Sequence, residues 1–138
     1  MLYTAPTLCP KLSAQVFECE SRAPTLALPR RHAWYVKIDW MLESGQNWPV
    51  VGQWLVQVFL KPLMHQPEIS VPPAGPEKVA VIPGQSTYCH KLAVPPEVVG
   101  EATLYQMVTV LTLEDKFGEL APLASVKAGP LIQFYEAR

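Results

Sequence analysis

Alternation between large apolar and polar residues at positions 34–42 and 50–61 constrains the fold of this chain more than any other feature. In each run, every second residue is apolar. These residues are Trp34, Val36, Ile38, Trp40 and Leu42 in the first run, and Val50, Trp54, Val56, Val58 and Leu60 in the second. A period of two is typical of a strand with one buried and one wet face. Residues 43–49 are polar and contain a glycine and a proline, which indicates a turn, so we predict a central β-hairpin over residues 33–61.

Proline is frequent in this chain, which contains 15 prolines and 7 glycines. Proline is excluded from helix interiors and central strand positions, so it predicts short strands joined by loops. Alternation predicts further strands at 13–20, 78–82, 87–94, 103–113 and 131–135, and a brief strand at 68–71. Gly129-Pro130 should bulge or kink the last part of the chain. A competing interpretation makes residues 97–107 a helix, but Gly100 and the β-branched run 108–112 favour a strand.

Several short strands separated by turn signals predict an all-β, antiparallel sandwich or barrel. Of the two we predict an antiparallel β-sandwich of about seven to eight strands. The 138 residues are enough for one domain with a core of its own. We place this domain at residues 13–138. Residues 1–12 precede it as an apolar arm whose first charged residue is Lys11.

One passage resembles the entry to a late strand in fibronectin type III and immunoglobulin-like sandwiches. It consists of Val94-Pro95-Pro96 followed by residues 103–110. In those sandwiches a tyrosine near the start of the strand donates its hydroxyl to upstream backbone. The resemblance implies that Tyr105 takes this place and that Met107 stands where immunoglobulin domains have their second cysteine. It implies an immunoglobulin- or fibronectin-III-like architecture and no particular activity.

Charge and cysteine content exclude several classes of partner. With 11 basic and 12 acidic residues the chain has no basic surface for nucleic acid. No apolar run is long enough to cross a bilayer, and residues 1–10 do not form a secretory signal, so we expect a cytoplasmic protein without a membrane partner. Three cysteines, Cys9, Cys19 and Cys89, argue against a disulfide framework. We expect Cys19 to be a small buried residue, with a Cys19–Cys89 bridge as the alternative.

Catalytic and metal-binding motifs are missing from the pattern. Cys89 and His90 are neighbours on a predicted strand, so their side chains point to opposite faces and cannot easily share a metal or a substrate. Gly84-Gln85-Ser86 lacks the second glycine and the following helix of a nucleophile elbow. The glycines are scattered singly, so no phosphate loop forms. We therefore predict no catalytic residue, no metal, no cofactor and no enzymatic activity.

Low charge points to interaction with other proteins. Only 17% of the residues are charged, compared with about 25% in typical soluble chains. We predict a non-catalytic protein–protein interaction or assembly module, a subunit of an oligomer or larger complex. Its arm or its last strand would pair with a neighbour's sheet edge. The candidate interface residues are apolar and lie in the arm or on nominally wet strand faces: Leu2, Tyr3, Leu8, Met41, Leu55, Phe59 and Tyr135.

Ligand binding is the alternative function. Trp48 lies in the predicted turn, where its ring would either stack on a ligand such as a carbohydrate or fold back over the end of the sandwich. Asn47 and Gln53 are the neighbouring polar candidates for contacting that ligand.

Overall fold

The computed structural model of the chain describes residues 10–42, 52–100, 103–114, 117 and 120–136. These residues form strands and loops and contain no helix, so the prediction of an all-β protein is confirmed. The strands are β1 (Lys11–Glu18), β2 (Ala27–Pro29), β3 (Trp34–Met41), β4 (Gln53–Pro62), β5 (Ile69–Val71), β6 (Glu77–Ala80), β7 (Thr87–Val94), β8 (Leu104–Glu114) and β9 (Leu120–Tyr135).

Two sheets enclose one core, consistent with a sandwich. The smaller sheet has the order β1-β3-β7 and is antiparallel. The larger sheet has the order β2-β9-β8-β4-β5, and β6 also pairs with β4. Only β2, which runs parallel to β9, departs from antiparallel pairing among the described strands.

The predicted β-hairpin is wrong, although both of its strands exist. Strand β3 pairs with β1 and β7, whereas β4 pairs with β8, β5 and β6 in the other sheet. The two strands meet across the core instead, where the rings of Trp40 and Trp54 pack edge to face with centroids 6.0 Å apart. Alternation determines which face of a strand is buried but does not choose its neighbour, so it could not separate these two arrangements.

Aromatic side chains fill both ends of the core. At one end the ring of Tyr88 stacks on Trp40, with centroids 5.4 Å apart, and packs edge to face against Trp54 at 5.8 Å. At the other end the ring of Phe134 packs edge to face against Trp34, at 5.6 Å, and against Tyr105, at 5.8 Å. Aliphatic side chains from both sheets lie between the two clusters, among them Val36, Ile38, Val56, Val58, Leu60, Leu92, Met107 and Leu111. Each end is therefore closed by rings from both sheets, which ties the layers together.

Two local predictions for the second half of the chain are confirmed. Residues 97–100 are not helical and β8 starts at Leu104, which confirms the strand interpretation. The register passes from Gln106 opposite Leu131 to Val108 opposite Ala128, which confirms a bulge at residues 129–130. A Cβ at Gly129 would lie 3.1 Å from the backbone oxygen of Met107, so the close approach of β8 favours glycine there. The last strand is longer than predicted, since it begins at Leu120.

The structure does not match the expectations for Cys19. Cys19 is exposed in a turn after β1, so the prediction that it is buried is wrong. Cys19 and Cys89 are both free, so the alternative of a bridge between them is not realised. Cys19 directly follows the strand and is no longer subject to its alternation, which is why the pattern misplaced it.

The buried hydroxyl of Thr109 leads to a prediction about stability. The Thr109 side chain is 1% exposed, and its Oγ1 has no hydrogen-bond partner among the described residues. We expect Thr109→Val to raise the free energy of unfolding by about 1 kcal/mol, because it removes an unpaired polar group and keeps the side-chain shape. Urea unfolding followed by tryptophan fluorescence measures the change. Thr87→Val, at an exposed site on β7, is the control; a loss of stability in Thr109→Val alone would contradict this account.

Candidate interaction surface

The outer faces of the two sheets differ in chemistry. On the three-stranded sheet, the residues that alternate with the core are mostly polar or charged: Lys11, Ser13, Gln15, Lys37, Asp39, Met41, Thr87, Cys89 and Lys91. Tyr35 lies on the same face, with Lys91 Nζ 3.9 Å from its ring centroid and Phe17 stacked on it at 5.0 Å. This face is a normal solvated sheet surface.

On the six-stranded sheet, the outward-pointing residues of β4, β8 and β9 are mostly apolar. We call this surface the apolar face. Its apolar members are Leu55, Phe59, Leu104, Val108, Val110, Val126, Ala128, Leu131 and Tyr135. The polar residues between them are uncharged, namely Gln57, Gln106, Thr112 and Gln133. Among the described residues of β4, β8 and β6, charge reaches this face only near the strand ends, at Lys61, Lys78 and Glu114.

Several apolar side chains on this face are well exposed. Val126 exposes 65% of its surface and Leu131 47%, while Leu104 and Tyr135 each expose 40%. They lie on the adjacent strands β8 and β9, where Val108 opposite Ala128 and Val110 opposite Val126 continue the apolar surface. Large connected apolar areas are uncommon on monomeric proteins and mark sites of interaction.

Strand β8 explains why the sequence creates this surface. Met107, Thr109 and Leu111 point inward and are buried, whereas Val108 and Val110 point outward and are half-buried. The run 107–111 therefore contains no charged residue on either side of the strand. A continuous run of this kind is typical of a strand covered on both faces. Here the inner side is covered by the other sheet, and no described residue forms a layer over the outer side.

The predicted interface residues are divided by the structure. Phe59 and Tyr135 lie on the apolar face, and Met41 lies on the outer face of the smaller sheet, 40% exposed. Leu55 also points to the apolar face, but it is only 7% exposed, so the expectation that it lies on a wet surface is wrong. It lies between Lys78 and Thr112 in the register of the sheet. The remaining candidates fall outside the described residues: Leu2, Tyr3 and Leu8.

Sequence reasoning missed the strongest members of the surface. Alternation places Val108 and Val110 in a strand but does not decide to which side they point, and Val126 precedes the predicted last strand at 131–135. The indication in the sequence lies in β8, where apolar residues occupy both inward and outward positions. Pairing with β9 then adds Val126 opposite Val110 and Ala128 opposite Val108, a neighbourhood that alternation alone does not reveal.

The predicted ligand site is only partly described. Trp48 and Asn47 lie outside the described residues, and Gln53 is an exposed residue at the start of β4. A groove of about 660 Å³ lies at the opposite end of the sandwich, between the segment after β4 and the segment before β8. Its lining includes Met64, Ile69 and Tyr105. Gln66 also lines it, and the buried Oε1 of that residue has no hydrogen-bond partner among the described residues.

Titratable side chains in the described part of the chain form pairs across the fold. His90 Nε2 lies 2.7 Å from Glu77 Oε1, which links β7 of one sheet to β6 of the other. Arg30 Nε donates to Glu136 Oε1 at 2.6 Å, which fixes the segment after β9 next to the segment after β2. No three His, Cys, Asp or Glu residues within the described ranges lie close enough together to hold a metal ion. The described residues also contain no helix of the length and apolarity needed to cross a bilayer.

Comparison with known proteins adds no assignment. Neither a protein-family model nor a curated protein matches this chain. The features that bear on function are therefore physical: one polar sheet face, one apolar sheet face, and a groove at the end of the sandwich.

The thiol of Cys89 provides a test of the polar face. Partial loss of hydration on the sheet surface raises the pKa of this exposed thiol above the ordinary value of 9.0. The neighbouring Asp39 carboxylate adds to this as acceptor of the thiol hydrogen bond and as a negative charge, and Lys37 acts in the opposite direction. We expect Asp39→Asn to lower this pKa and speed alkylation of Cys89 at pH 8, and Lys37→Ala to slow it. The rates are measured with Cys9 and Cys19 replaced by serine.

The same pKa shift has a consequence for stability. A thiol whose pKa is raised on folding stabilises the folded state below pH 9.0, and this contribution is lost as the pH rises through the folded-state pKa. Asp39→Asn should therefore weaken the loss of stability at alkaline pH. An unchanged alkylation rate in both variants would show that the two side chains do not act on the thiol.

Proposed function

We propose that this protein is a non-catalytic β-sandwich that docks on another protein through its apolar face, as a subunit of an oligomer or larger complex. The contrast between the two outer faces carries the proposal: lysines and Asp39 cover one sheet, whereas Val126, Leu131 and their neighbours are exposed on the other. Both sheets belong to one chain in one solvent, so a general tolerance of apolar surface does not explain the difference.

The free energy of burying apolar surface favours docking on this face. Burying apolar surface contributes about 25 cal/mol per Å². Covering two or three side chains such as Val126 and Leu131 therefore contributes several kcal/mol, which helps to offset the loss of translational and rotational freedom on association. The polar residues within the face are neutral amides and hydroxyls, and these can be covered at lower cost than charges.

For the fold type, we propose an immunoglobulin-like sandwich. In that fold strands A, B and E share one sheet, and C, F and G share the other. The observed orders β1-β3-β7 and β9-β8-β4 correspond to A-B-E and G-F-C in chain order. The buried Trp54 on β4 would then match the tryptophan of strand C, and Tyr105 near the start of β8 would match the tyrosine of strand F. Met107, fully buried, would replace the second cysteine.

The proposed compartment is the cytoplasm. Cys19 and Cys89 are free and exposed, and thiols of this kind persist more readily in a reducing environment. We also propose that the chain acts without a cofactor and without binding nucleic acid, which is supported by its near-neutral charge of −1.

Photo-crosslinking tests the proposed docking surface. A photoreactive benzoylphenylalanine is placed at Val126 on the apolar face or at Lys37 on the polar face, in cells that make the protein. We expect protein adducts of defined mass from position 126 and few or none from position 37. Equal labelling of the two positions, or no adduct from position 126, would contradict the proposal.

A second candidate function is supported by the groove at the end of the sandwich. Its volume of about 660 Å³ falls within the range of small-molecule sites, and Gln66 Oε1 offers a buried acceptor to a ligand that carries a hydrogen-bond donor. The ligand would be a small, largely apolar molecule with one N–H or O–H group.

This second candidate is tested by NMR with a library of aromatic amide and aromatic alcohol fragments. We expect binding fragments to shift the methyl signals of Ile69 and Val98, which line the groove, and to leave Val16, on β1, unchanged. Absence of shifts at Ile69 and Val98 at millimolar fragment concentrations would remove this candidate.

A further inference from the structure

We infer that the partner of the apolar face is a second copy of this chain, packed face to face about a two-fold axis. This inference rests on the proposed function and names the partner of the same surface. Face-to-face packing of sheets about 10 Å apart is also how the two sheets of a sandwich bury their inner faces.

The dimensions of the face suit a dimer. The three strands that carry the apolar face, β9, β8 and β4, span about 14 Å at about 4.8 Å per strand, and the length of β8 adds about 35 Å in the other direction. The resulting area is on the order of 500 Å² per copy, or about 1,000 Å² for two copies, which is about the lower limit for a specific interface.

In a two-fold arrangement, the central strand β8 lies closest to the symmetry axis. Strand β8 is third of five in the order β2-β9-β8-β4-β5, and Val110 lies near its middle, opposite Gln57 of β4 and Val126 of β9. In a two-fold, face-to-face pair the centre of the face meets its own copy. Val110 would therefore contact Val110 of the second copy, and an uncharged residue is required there because a charged one would meet the same charge.

The charges at the strand ends select the orientation. Lys61 lies at one end of the face, level with Gln106 and Leu131, and Glu114 lies at the other end beside Gln53. An axis parallel to the strands would place Lys61 over Leu131 of the second copy. An axis perpendicular to the strands and in the plane of the sheet would place it over the polar end of β4, where Lys78 and Glu114 lie 3.6 Å apart and already pair, which keeps the Lys61 ammonium off apolar surface.

Alternative surfaces of the same chain are less suited to self-association. The outer face of the smaller sheet would bring Lys37 and Lys91 close to their own copies. The edge of β9 before residue 133 has no partner strand among the described residues, but Pro122 and Pro130 each lack a donor for edge-to-edge pairing. The net charge of −1 means that two copies repel each other only weakly at long range.

Sedimentation equilibrium with a charge exchange at the centre of the face tests the inference. The wild-type protein is expected at twice the 15.4 kDa of one chain. Val110→Lys and Val110→Glu, each alone, are expected at the mass of one chain, because like charges meet on the axis. An equimolar mixture of the two variants is expected to recover the doubled mass, which a folding defect could not do. Lys37→Glu, on the polar face, is the matched control and should keep the doubled mass.

The outcomes separate this inference from the proposed function. A wild-type protein that stays at the mass of one chain up to millimolar concentration overturns the homodimer; adducts with a different protein from position 126 would then still support docking on the apolar face. A doubled mass retained by Val110→Lys places the dimer on another surface and also overturns the inference. Loss of the dimer in both single variants without recovery on mixing overturns the two-fold arrangement.

Discussion

The structure depends on the contact between tryptophan-bearing strands across the core. Trp40 and Trp54 belong to consecutive long strands, and their edge-to-face packing holds one strand in each sheet. Each strand has one apolar face that must be removed from water, and packing the two faces against each other buries both of them. Tyr88 completes the arrangement, because its ring contacts both tryptophans. Two layers follow from this contact, since strands that pack face to face cannot also be neighbours in one sheet.

The unequal size of the layers follows from the pairing choices of those two strands. Strand β3 acquires only β1 and β7, whereas β4 joins a sheet that continues through β8 to β9 and β2. The wider sheet has more strands, and its central strand β8 carries apolar residues on both sides. The side chains on one side of β8 pack in the core. The other side forms the apolar face, so the surface assigned to docking is a consequence of how the larger sheet was assembled.

Alternation in the sequence is enough to predict β3, β4, β7 and β8 and an all-β fold consistent with a sandwich, because buried positions such as Val36, Ile38 and Leu92 recur with a period of two. It does not predict the first part of β9, the longest strand. It could not predict the pairing of β3 and β4, since a period of two is the same whichever neighbour a strand has. It also could not assemble Val110 with Val126, which are 16 positions apart and meet only through the register of β8 and β9. Pairs such as Arg30 with Glu136 are equally non-local and leave no local trace.

The parallel pairing of β2 with β9 has a consequence for how the protein folds. Leu28 pairs with Phe134, and the amide of Arg30 donates to the carbonyl of Tyr135, so β2 is completed by a segment far from it in the sequence. Loop closure over such a distance costs entropy before any contact repays it, and topologies of this kind fold on the millisecond-to-second scale. Strand β2 and the edge of β8 that pairs with β9 therefore cannot complete their pairing until β9 has formed, and strand edges left unpaired in the meantime are prone to aggregation.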